Sequence, residues 1–149
     1  MKLADTVRSL LKNKDSQVWS VTPDASVYEA IEDMAMHKVG ALLVTTEEGL
    51  VGILSERDYA RKVILKGRLS KETRVAEIMT TTVLTVTRDH TVDDCMAIMT
   101  RNHIRHLPVV ENSKLLGMIS IGDLVKWIIS RQDVHIEHLE QYISGKYPA

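Results

Sequence analysis

The segments GILSERD, Gly52 to Asp58, and GMISIGD, Gly117 to Asp123, share the spacing Gly-x-x-Ser-x-x-Asp. A hydroxyl three residues before a carboxylate, just after a short apolar run, has an immediate structural use. Ser55 and Ser120 can cap a helix, and Asp58 and Asp123 at the third helical position close a capping box. That use contributes about 1 kcal/mol per helix. The same arrangement can also hold a ligand. A helix N-terminus offers free N–H groups and a positive dipole end, which suit phosphate. A carboxylate beside it can accept two hydrogen bonds from a cis-diol. The two uses are compatible.

Other candidate chemistry is thin. His135 and His138 span one helical turn but lack a third metal ligand. Cys95, the single cysteine, falls on an apolar stripe and reads as inert core. There is no supported Ser–His–Asp or Cys–His arrangement and no glycine-rich phosphate loop. Arg101 and His103 read as solvated helix positions.

The elements that must position the twin motif also come twice. Displaced by 65 residues, Val18 to Ile64 lies on Val83 to Ile129 without a gap. Val21, Thr22, Asp24, Val27, Met34, Leu42, Val44, Leu50, Gly52, Ser55 and Asp58 meet the same residue types. A period this long, with two copies, is no solenoid. It predicts two small units packed about a pseudo-twofold axis. One unit alone buries too little surface to stand comfortably.

Each unit reads β-α-β-β-α. The predicted strands are Val18 to Thr22, Ala41 to Thr45 and Leu50 to Leu54, with Leu84 to Thr87, Leu107 to Val110 and Leu115 to Ile119 in the second copy. Helical stripes run through Val27, Ile31, Met34 and Ala35, and through Val92, Cys95, Met96 and Met99. They open with the capping patterns Ser26-x-x-Glu29 and Thr91-x-x-Asp94. Short polar turns join the paired strands, at Thr46 to Gly49 and at Glu111 to Lys114. The second helix of each unit starts at Ser55 or Ser120. The fold class is therefore α+β. Residues 1–17 form an N-terminal helix, 18–64 the first repeat, 65–82 a linker, 83–129 the second repeat and 130–149 a C-terminal helix. The outer stripes, Leu3, Val7, Leu10 and Leu11 in front and Val134, Ile136, Leu139 and Ile143 behind, would cap the module or pack on a second subunit. Capping is the plainer use.

The chain has 149 residues, 44% hydrophobic and 26% charged, as expected of a globular protein with its own core. Phe is absent and Met numbers 7, so the core is aliphatic, with the methionines as its fillers. The formal net charge of −1 leaves no basic footprint for nucleic acid. No apolar run approaches a membrane span, and the charged first residues do not read as a signal peptide. With one cysteine, a reduced cytoplasmic setting fits.

The duplicated motifs, the HLPVV run at His106 to Val110 and the helix openings TPDASV and TRDHTV resemble a tandem pair of CBS domains. The resemblance covers Val18 to Ile129, plus the VAEIMT segment that typically precedes a repeat. Singly each motif is loose; their order, spacing and duplication are specific. The resemblance implies a regulatory module that binds adenosine-containing ligands (AMP, ADP, ATP, S-adenosylmethionine, sometimes NAD) in clefts between the repeats. It implies that Asp58 and Asp123 take ribose hydroxyls, with Ser55 and Ser120 alongside. Arg105 and His106 would face the Asp58 cleft, and Gly40 and Ala41 the Asp123 cleft. Val18 and Val83, at the starts of the first strands, would contact adenine, and Pro108 of the HLPVV strand belongs to the same implied set.

The two clefts are unequal in sequence. Arg57 precedes Asp58, where the second copy has Gly122; Arg105 and His106 stand where the first copy has Gly40 and Ala41. One cleft thus gathers groups suited to phosphate. The other is lined by small residues. The expectation is a non-catalytic sensor of energy or redox state, with adenine nucleotide as ligand, a homodimer as assembly and an effector protein as reader. No nucleic-acid or membrane partner is expected. The alternatives are a dimerisation adaptor with vestigial clefts and a phosphohydrolase using His106 and Asp58.

Overall fold

The computed structural model describes residues 5–14 and 18–131. Helix α1, Val7–Lys12, precedes the first repeat. That repeat contains β1 Ser20–Val21, α2 Val27–His37, β2 Ala41–Thr46, β3 Gly49–Ser55 and α3 Glu56–Tyr59. Helix α3 runs into one π-type turn, Ala60–Ile64. A 3-10 turn, Ser70–Glu72, and a short helix α4, Val75–Ile78, make the connection. The second repeat follows with α5 Val92–Asn102, β4 His106–Glu111, β5 Lys114–Ser120 and a helix α6 over 121–131. The outer C-terminal stripe, Leu3 and the His135–His138 pair lie outside the described residues.

The 65-residue period extends to the strand register. Val21 pairs with Val44 in parallel, and Val86 with Val109. Ala41 opposes Ser55, as His106 opposes Ser120. Both hairpins break register at the same place, between Val44 and Thr45 and between Val109 and Val110. The tight turns differ. The first uses Gly49 at φ +115, and the second uses Asn112 and Ser113 at φ 51 and 63, the primed geometry that matches strand twist.

The first strands are shorter than expected. β1 keeps two residues, and the second copy keeps one bridge at Val86. In the first repeat Leu43 N–H donates to the Trp19 carbonyl at 3.2 Å. Its counterpart is Pro108, which has no N–H to give, so the equivalent ladder bond cannot form. The helical stripes also shift. Val27, Ala30 and Met34 are the buried positions of α2, and Ala35 is exposed. Met36, expected in the core, is 72% exposed. Thr91 forms the full capping box with Asp94; Ser26 makes only the hydroxyl half, to Glu29 N–H.

Each repeat has its own core, and each core is completed by a segment from before the other repeat. Val75 and Ile78 of α4 join Val27, Met34, Leu42 and Leu54. Val7 and Leu10 of α1 join Val92, Met99, Leu107 and Ile119. Backbone bonds match: Val75 N–H donates to Ala25 O, and Val7 N–H to His90 O. So α1 is a displaced copy of α4. It packs on the second repeat, as part of the fold.

This exchange brings side chains onto the motif glycines. A Cβ at Gly52 would meet Met79 Sδ at 2.8 Å and the Thr80 carbonyl at 3.0 Å; one at Gly117 would meet Leu11 Cδ2 at 2.9 Å. A backbone neighbour cannot give way as a leucine terminus can. Gly52→Ala should therefore cost about 1–3 kcal/mol by overpacking, and Gly117→Ala clearly less. Urea unfolding midpoints of the two variants check this; equal losses would contradict it.

Candidate functional site

Both capping boxes form. Ser55 Oγ accepts from Asp58 N–H at 3.1 Å, and Asp58 Oδ2 accepts from Ser55 N–H at 3.0 Å. Ser120 Oγ accepts from Asp123 N–H at 3.1 Å, and Asp123 Oδ2 from Ser120 N–H at 2.8 Å. Each box fixes a carboxylate at the mouth of a helix through its Oδ2.

Asp58 lies in a cleft of about 300 Å³ between the repeats. Its first wall is the start of α3, with Ser55, Arg57, Asp58 and Arg61. Its second is the linker end, Thr80, Thr82, Val83 and Leu84. The turn from α5 to β4 closes it with His103, Ile104, Arg105 and His106, and Gly40 adds a smooth edge. Arg57 Nη1 donates to the His103 carbonyl at 2.7 Å and ties the two repeats across the cleft. An open groove continues from it along Arg57, Arg61, Thr100, His103 and Arg105. Three guanidinium groups thus border one continuous surface, suited to an extended anion.

The carboxylate itself is partly engaged. Asp58 Oδ1 faces Thr80 Oγ1 at 3.5 Å and Lys62 Nζ at 3.2 Å. Lys62 also donates to the Ile78 carbonyl at 2.9 Å. Asp58 is 14% exposed, against 43% for Lys62, so the lysine approaches from the solvent side.

Of the residues singled out in the sequence, Ser55, Arg57, Asp58, Val83, Arg105, His106 and Gly40 come together in this one cleft. Gly40 was expected on the Asp123 side; it lies against the His106 ring here. Ala41 and Pro108 are buried within β2 and β4, and Val18 is half-buried. Ser120 and Asp123 stand at the other helix mouth, where Lys14 Nζ meets Asp123 Oδ2 at 2.6 Å. Burial opposes the Asp123 charge, but Lys14 and the Ser120 N–H outweigh it and hold the carboxyl below its ordinary range. His103, read as a solvated helix position, is the left-handed C-cap of α5 at φ 53 and lines the cleft. Thr80, Thr82 and Lys14 carried no repeat-based signal, because their role depends on segments that cross between repeats.

Residues 7–65 and 75–130 each match the family model described as the CBS domain. The chain belongs to the CBS-domain family. It is 41% identical to the mitochondrial CBS domain-containing protein CBSX3 of Arabidopsis thaliana, over 97% of this chain and 73% of that protein. The structure resembles a CBS-domain protein of Burkholderia ambifaria provisionally assigned to signal transduction, with 50% identity and a TM-score of 0.83, covering 85% and 96% of the two chains. The CBS pair of the protein MJ0100 superposes with a TM-score of 0.76 at 23% identity, covering 86% and 98%. That pair was solved with 5′-methylthioadenosine and S-adenosyl-L-methionine. No helix among the described residues is long and apolar enough to cross a membrane.

His106 of this CBS pair carries no charge near neutrality. Burial pushes its pKa down from 6.5 to about 4, helped by nearby Lys14 and Arg105, while Asp123 pulls the other way. It serves the cleft as a polar ring; the positive edge is made by arginine. Protonation therefore favours the unfolded chain. The stability His106 contributes is fully present above about pH 6.5 and is lost as pH falls towards about 4. Melting temperatures from pH 7 to 4 should fall more steeply for the native protein than for His106→Gln. Parallel curves would contradict this assignment.

Proposed function

We propose that this CBS pair is a non-catalytic regulatory module that binds an adenine nucleotide in the Asp58 cleft and signals energy or redox state. One observation carries the reading: a carboxylate held by its own helix cap lies in an inter-repeat cleft bordered by Arg57, Arg61 and Arg105. The carboxylate offers acceptors to the two ribose hydroxyls. The arginines and the α3 N-terminus suit the phosphates of AMP, ATP or NAD. Val83 and Leu84 offer apolar surface to a base. Because both repeats wall the cleft, a ligand can bias their relative position, by no more than its differential affinity for the two arrangements.

The fold of the MJ0100 pair, which accommodates two adenosine-containing molecules, is consistent with this reading by analogy of fold. Ile64 and Ile129 occupy equivalent positions in the two repeats and are 56% and 52% exposed. We assign these exposed positions, with Val125, to a homodimer contact, whose change would be read by an effector protein. The cytoplasm is our assignment of compartment. The complete capping boxes and the Lys62 contact favour a second reading, in which the clefts are vestigial and the protein is a dimerisation adaptor.

A thermal-shift series with adenosine, AMP, ATP, NAD and GMP separates the two. Ligand at about 100 times its dissociation constant adds roughly 2.7 kcal/mol, several degrees at this size. An adenine-specific shift that disappears in Asp58→Ala is expected; no shift with any of them leaves the adaptor. Arg105→Ala should weaken AMP more than adenosine in calorimetric titrations. Equal losses would remove Arg105 from the phosphate role.

A further inference from the structure

The two motif aspartates each meet a lysine, but the lysines arrive by different routes. Lys62 reaches Asp58 from the next turn of the same helical segment, an exposed i,i+4 approach at 3.2 Å. Its counterpart in the second repeat is Trp127, whose indole N–H donates instead to Asp5. The second repeat therefore has no lysine of its own at this place. Lys14 supplies one from the N-terminal segment, 109 residues away in sequence. Its Nζ meets Asp123 Oδ2 at 2.6 Å and also donates to the Met118 carbonyl. Both partners are shielded, at 30% and 23% exposure.

This contact has a chemical consequence at the motif. An ammonium presents N–H donors to the carboxylate, as the vicinal hydroxyls of a ribose present O–H donors. Lys14 takes Oδ2, the oxygen that also accepts the Ser120 N–H, so a diol that needs both carboxylate oxygens meets the lysine at one of them. Lys14 also lies just past the Asn13 C-cap of α1, while Val7, Leu10 and Leu11 hold that helix to the second repeat. The lysine can leave Asp123 without unpacking α1.

We propose that Lys14 is a built-in occupant of the Asp123 site. It excludes a nucleotide there until it is displaced, so that the resting chain offers one open site, at Asp58. This rests on the nucleotide reading of the Asp58 cleft.

The experiment is calorimetric titration of the full-length protein with ATP, using native, Lys14→Met, Asp58→Ala and doubly substituted chains. Carboxyl NMR of Asp123 in the absence of ligand accompanies it. Native protein should bind one ATP per chain and lose it in Asp58→Ala. Lys14→Met should bind two, with the added site at least tenfold tighter than in native protein and retained when Asp58 is also replaced. The Asp123 carboxyl should titrate at higher pH in Lys14→Met, which reports the ion pair without any nucleotide. Two sites already in native protein, or an Asp123 titration that does not move, would overturn the proposal. So would a Lys14→Met protein that keeps only the Asp58 event, and here the nucleotide reading survives. Absence of any event in all four proteins overturns both.

Discussion

At Gly52 and Gly117 a segment from outside the repeat lies directly on the strand, 2.8 and 2.9 Å from where a β-carbon would stand. Much else in the molecule depends on that close approach. Met79 and Thr80 pack on β3, and Thr80 exchanges backbone hydrogen bonds with Ile53 in both directions. The linker is thereby pinned, and its continuation through Thr82, Val83 and Leu84 becomes a wall of the cleft. The same approach at Gly117 seats Leu11 and carries Lys14 to Asp123. The glycine of the motif serves the packing, and the packing delivers the residues that surround the aspartate.

The capping box adds preorganisation. A free carboxylate would sample several rotamers, and ordering it on binding would cost side-chain entropy. Here Ser55 and Ser120 have already ordered Asp58 and Asp123 through bonds that the helix needs in any case. Cap and proposed binding site are thus one arrangement. The cap uses Oδ2 of each aspartate; Oδ1 of Asp58 meets Lys62 and Thr80 instead.

Two sites built on one scaffold then diverge through their surroundings. The Asp58 mouth opens onto three arginines and a neutral histidine. The Asp123 mouth faces Lys14 of the N-terminal segment in a half-buried pair, where an ionic contact is screened less than at the surface. Net charge near zero conceals this, since Arg57, Arg61 and Arg105 line one inter-repeat surface.

The repeat architecture was legible in the chain because a 65-residue period preserves residue type at the positions that fill each core, such as Val27 and Val92 or Leu42 and Leu107. Hairpin pairing, helix caps and the identity of the two motif aspartates follow from local chemistry, within a few residues of chain. Ser55, Arg57 and Asp58 share that origin, whereas Val83, Arg105 and His106 were reached through the family resemblance, which put Gly40 in the other cleft. What required the tertiary structure was every contact between distant segments. The packing of α1 on the second repeat, the placement of Gly40 against His106, the role of His103 and the pairing of Lys14 with Asp123 all join residues whose spacing in sequence carries no period. Local rules act over one helical turn or one strand pair. The crossing of segments is decided only when both cores compete for the apolar faces that close them.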